Sequence, residues 1–175
     1  MSKMMGLAIL TAALFFQSTP DQAANENLKK LANECGKAIV TQDYNRVVEL
    51  TYPKVVELMG GKAKMIALLH DGMQQMKAQG QQILSSLADD PVQVTTINKQ
   101  IFAVVPTTLK IKVPQGVLVS KSITIGVSSD NGKSWTFVSG DNLDEEKMKI
   151  VFPSAAGKLK IPPHQEPTLI PGNQL

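Results

Sequence analysis

The 175 residues carry a net charge of +3, with 43% hydrophobic and 19% charged side chains, the balance of one ordinary globular domain with a core of its own. Mild basicity without a lysine or arginine cluster excludes a nucleic-acid footprint, and the longest basic grouping is only Lys158-Leu159-Lys160. A single cysteine, Cys35, excludes an intramolecular disulfide.

Taken in chain order, residues 1–24 have the pattern of a secretory leader. Lys3 supplies the positive end, and Gly6–Phe16 (GLAILTAALFF) is an apolar run shorter than the roughly 20 residues a membrane span requires. The expected product is periplasmic or secreted, with no stable membrane insertion once the leader is removed. A first helix is expected over Asn25–Thr41, where Leu28, Leu31, Ala32, Cys35, Ala38 and Ile39 form one apolar stripe. Cys35 on that stripe reads as a buried, inert thiol. Asp43 is positioned to cap a short second helix, Tyr52-Pro53 ends it, and a further turn covers Val55–Met59. The longest helix is expected over Lys62–Gln79 with its stripe of Met65, Leu68, Leu69, Gly72, Met73 and Met76 facing a sheet, and Gly80 as its terminating glycine.

After Gly80 the period changes to alternation. Strands are expected at Ile83–Leu87, Val92–Ile97 and Gln100–Val113, the last interrupted by Pro106 at an edge or bulge. In the fourth, Val117, Val119, Lys121, Ile123, Ile125 and Val127 occupy the face expected to point inward, and Ser120, Ser122 and Thr124 the other. Asn131-Gly132 turns the chain into a fifth strand carrying Trp135 and Phe137. A two-residue loop would pair Val127 with Thr136; a three-residue loop pairs Val127 with Trp135 and Ile125 with Phe137, and burial of the aromatics favours the latter. Residues 163–175 are proline-rich and are expected to be a free tail behind a domain spanning 25–162, with Leu159 and Ile161 pinned to the body.

Helices followed by antiparallel strands make an α+β layer architecture. The order of elements resembles the nuclear transport factor 2-like, or cystatin-like, α+β cone: N-terminal helices packed on a curved antiparallel sheet. The stretches Thr51-Tyr52-Pro53-Lys54-Val55-Val56-Glu57-Leu58-Met59-Gly60-Gly61, Ser128–Trp135, Phe152-Pro153 and Leu159-Lys160-Ile161-Pro162 are similar to a branch of small secreted bacterial proteins of unassigned role. The resemblance implies the fold and little about activity, because the cone hosts enzymes, binders and assembly modules.

Ser128-x-Asp130-x-Gly132-x-x-Trp135 also matches the Asp-box of sialidase-type propellers. It occurs once, which excludes a propeller and leaves a structural turn built from Asp130, Gly132 and Trp135. His70 and His164 are too isolated for a metal centre, and no cofactor motif is present in the sequence. The candidate ligand-binding residues are Tyr44, Tyr52, Met65, Leu69, Met73 and Lys121. Methionines on one stripe suit an adaptable apolar pocket. The expected function is that of a non-enzymatic domain taking a small apolar ligand or a protein partner, or pairing with a second copy through its sheet. The alternative is an isomerase- or lyase-like enzyme drawing on Tyr44, Tyr52 or Lys121 inside an apolar cone.

Overall fold

The computed structural model describes residues 20–141 and 143–174. The expected leader lies, up to Thr19, outside them. Helix α1 spans Pro20–Val40, beginning ahead of Asn25. Asp43 caps α2 (Tyr44–Leu50) by accepting the Arg46 N–H at 3.1 Å. Helix α3 (Pro53–Leu58) and α4 (Lys62–Ala78) follow, separated by Gly60 and Gly61 at φ 87° and 93°, a backbone region open to glycine at little cost. Gly80 closes α4 at φ 71°.

The sheet is six-stranded, antiparallel and curled, so the protein is an α+β fold of cone-like form. Strand β3 (Gln100–Val113) pairs along its length with β4 (Gly116–Ser128). On its other side β2 (Gln93–Ile97) covers Gln100–Val104, and β1 (Gln82–Ala88) covers Thr107–Lys112. Pro106 sits at the junction between those two partners. Its carbonyl accepts the Asp89 N–H at 2.8 Å, so its missing donor also points at the junction and costs no bond to β4. On the far side of β4, β5 (Thr136–Ser139) covers Thr124–Val127.

The register of β5 corrects the expected hairpin. Val127 pairs with Thr136, Gly126 with Phe137 and Ile125 with Val138. Burial of Trp135 and Phe137 was a poor guide because both faces of the sheet are covered here. On one face Trp135 and Phe137 pack with Leu28, Ala32, Ala103 and Val105; on the other, Phe102, Ile125, Val127 and Val138 pack with Met148, Val151, Phe152 and Ala155. Gly126 makes the observed register fit. A Cβ there would come within 2.8 Å of Leu28 and 3.2 Å of Trp135.

Helix α5 (Glu145–Val151), capped by Asp144, supplies the second of these clusters. Leu159 and Ile161 pack against it as expected. The free tail needs correction. Thr168–Pro171 forms strand β6 on the exposed edge of β4 at Gly116–Val119, which β5 leaves uncovered. Prolines are compatible with an edge strand, where one row of backbone groups needs no partner.

Helix α4 does not lie on the sheet. It leans on α2 and α3, while α1 occupies β1. Only Met65 of its stripe is buried, and Leu68 is 50% exposed. Small residues decide this competition: Ala32 and Gly36 let α1 come so close that a Cβ on Gly36 would meet the Ser86 carbonyl.

The Asp130 turn forms as expected. Ser128 Oγ donates to Asp130 Oδ1 at 2.9 Å and accepts the Gly132 N–H at 2.9 Å. Asp130 accepts the Ser134 N–H at 2.8 Å and the Ser134 hydroxyl at 2.7 Å. These bonds stabilise the carboxylate, those from Ser134 foremost, and hold its pKa down at about 2. A depressed native pKa gives stability that is present above the unfolded value near 4 and is lost as pH falls towards 2. Urea midpoints measured across that window are expected to drop more steeply for the parent than for Asp130→Asn, which has no charge to titrate. Parallel curves would deny the turn this role.

Candidate functional site

Between the helices and the inner face of the sheet lies a cavity of about 570 Å³. Its volume falls in the range of small-molecule sites. The helical wall is formed by Cys35, Ile39, Val47, Val55, Met59 and Met65. Thr51 is the one hydroxyl residue on this wall, and its Oγ1 donates back to Val47 O at 2.7 Å, so it is satisfied by its own helix. The sheet wall carries Ile83, Leu109 and Phe137 together with Ser86, Thr107, Ser122, Thr124 and Ser139. Beyond the β5 edge the cavity opens past Leu143, Lys147 and Ile150.

The β4 side chains facing this cavity are Ser122 and Thr124, from the row opposite the one expected to point inward. Ile125 and Val127, expected to line the cone, belong instead to the cluster around α5, and Ile123 is buried on their face of β4. Alternation specifies two faces but not which of them a hollow adjoins; a cavity accepts hydroxyls on its wall where a filled core does not.

Lys121 follows its row outward. It is exposed, donates to Thr108 Oγ1 at 2.7 Å and lies 3.7 Å from Asp89. Tyr44 is also away from the cavity: its hydroxyl donates to Gln42 Oε1 at 3.1 Å and its ring meets His70 edge-on at 6.1 Å. Tyr52 packs against Phe152 with ring centroids 5.0 Å apart. Met65 lines the cavity. Met73 lines a second hollow of about 390 Å³ between the end of α4, the end of α1 and the start of β1; Leu69 lines neither.

Two lining residues are ionisable, Cys35 and Lys147. Cys35 is half-buried, not fully buried as expected, because the surface it leaves open faces the hollow. Burial pushes its thiol up to about 11, against a smaller opposing pull from Arg46, so it stays protonated at neutral pH. Lys147, on α5, pairs with Asp144 at 2.8 Å. Among the described residues no group of three His, Cys, Asp or Glu side chains gathers at metal-binding distance, and no helix is long and apolar enough to cross a membrane.

No family model, curated protein or solved structure matches the chain.

Proposed function

We propose that this chain is an exported, non-enzymatic cone domain of the nuclear transport factor 2-like kind whose cavity binds a small apolar ligand. The observation that carries the reading is the lining itself: a cavity of about 570 Å³ walled mostly by aliphatic, methionine and phenylalanine side chains, with neutral hydroxyls on the sheet side and Lys147 at the mouth. A lyase or isomerase needs an acid–base group within hydrogen-bond reach of its substrate. Tyr44, Tyr52 and Lys121, the groups an enzymatic reading would use, stand outside the cavity, the Cys35 thiol is a weak acid there, and Lys147 at the mouth is paired with Asp144. These placements favour binding over catalysis.

The test is titration with N-phenylnaphthylamine, a neutral probe that fluoresces in apolar surroundings. Saturable binding at one equivalent is expected, lost in Ile39→Trp, whose ring fills the hollow. A thiol reagent should label Cys35 slowly, at a rate still climbing above pH 9 because the thiol ionises near 11, and the bound probe should slow it further. A parent that binds no probe would overturn the reading, and rapid labelling of Cys35 at neutral pH would reopen the catalytic alternative. Export rests on Lys3 and Gly6–Phe16, and predicts that protein recovered outside the cytoplasm has an intact mass beginning near Asn25. A retained Met1 in that fraction would sink it.

A further inference from the structure

Apart from the Cys35 thiol and Lys147 at the mouth, the polar lining of the cavity lies on the sheet side, and it is ordered. One strand row after another contributes a hydroxyl to the sheet wall: Ser86 from β1, Thr107 from β3, Ser122 and Thr124 from β4, Ser139 from β5. The register places them as neighbours, since Thr107 lies opposite Ser122 and Thr124 opposite Ser139. Ser86 sits two positions along β1 from Ala88, the partner of Thr107. Three inter-strand steps carry this line about 14 Å across the sheet. The facing helical wall offers aliphatic and methionine side chains, and its Thr51 hydroxyl is turned away into α2.

From this arrangement we infer that the cavity selects facial amphiphiles: an elongated apolar skeleton with neutral hydroxyl or carbonyl oxygens along one edge. The inference rests on the binding reading above and names the class of ligand. Hydroxyls both donate and accept, so a row of them matches neutral oxygens and places no demand for a charge. Thr107 and Thr124 bond to each other at 3.1 Å, which leaves one proton of the pair and lone pairs on both oxygens for a ligand. Ser122 donates to Asp141 Oδ2 while Asp141 Oδ1 accepts the Ile123 N–H, so the Ser122 oxygen is fixed as an acceptor. A plain hydrocarbon lying on this wall would bury that spare proton and those lone pairs unmatched, and the cost of stranding them is the source of selectivity.

The experiment compares dodecanamide with its mid-chain hydroxylated analogue as displacers of N-phenylnaphthylamine from the full chain. On the parent the hydroxylated compound should displace the probe at about tenfold lower concentration, the factor expected when one stranded hydroxyl is satisfied. In Thr107→Val/Thr124→Val the preference should shrink to about twofold. Valine keeps the shape of threonine, and removing both partners of their mutual bond together leaves neither orphaned, so the variant should fold. Ser122→Ala is a second, independent variant expected to narrow the preference without disturbing that pair. Equal displacement by both compounds on the parent overturns the facial selection while leaving apolar binding intact. A preference that survives both variants overturns the assignment to these hydroxyls. A parent that never binds the probe overturns the binding reading itself, and with it this inference.

Discussion

Trp135→Ala is expected to lower stability by about 3–5 kcal/mol, the range for removing a large buried aromatic from a close-packed site. The indole is 2% exposed and packs with Leu28, Ala32, Ala103 and Phe137, so its loss opens a void where α1 meets the sheet. Its Nε1–H donates to Gly132 O at 3.1 Å, and Asn27 Nδ2 donates to the same oxygen at 2.9 Å. The ring thus ties the hairpin to α1 both by area and through a shared acceptor. For a chain of this size the melting temperature should fall by roughly 10 °C. Trp135→Phe should recover most of that fall, since it restores ring area and lacks only the N–H. If Trp135→Ala melts with the parent, the hairpin is a recognition surface and the described core is wrong at its best-packed point.

What could be read from the sequence was local. The Asp43 cap, Gly80 at the end of α4 and the Ser128–Trp135 turn each depend on residues a few positions apart. Long β3 and β4 were legible from alternation alone. Helix α5 also carries a local signal in the sequence: Asp144 as cap, Glu145 and Glu146 in the first turn and Lys149 in the last, with Met148, Val151 and Phe152 as its buried side.

The remaining features depended on choices between elements distant in sequence. Whether α1 or α4 lies on β1 is settled by how closely each can approach, which a stripe of apolar residues does not reveal. The β5 register turned on Gly126 opposite Phe137, visible only once both sheet faces are known to be covered. The site suffered most. A tyrosine, a lysine and a methionine stripe look like site residues in isolation, whereas Ser86, Thr107, Ser122, Thr124 and Ser139 are unremarkable until four strand rows bring them onto one wall.

Gly36→Ala tests the contact from which that wall follows. In an isolated or loosely docked helix the substitution should stabilise by about 1 kcal/mol, because alanine is the better helix former. Here the sign should reverse. A Cβ at residue 36 would collide with the Ser86 backbone oxygen and stand 3.0 Å from its Cβ, and a strand backbone held by its ladder to β3 cannot retreat as a side-chain tip can. Forcing the methyl in must lever α1 off β1 or bend β1, a cost of about 1–3 kcal/mol for overpacking after which the propensity gain is outweighed. The displacement also moves Cys35, one residue along α1, and Ser86, both of which line the cavity. A lower urea midpoint should therefore be accompanied by faster labelling of Cys35 and weaker binding of the neutral probe. A Gly36→Ala protein more stable than the parent, with Cys35 labelling unchanged, would place α1 farther from the sheet than described and leave the cavity without its roof.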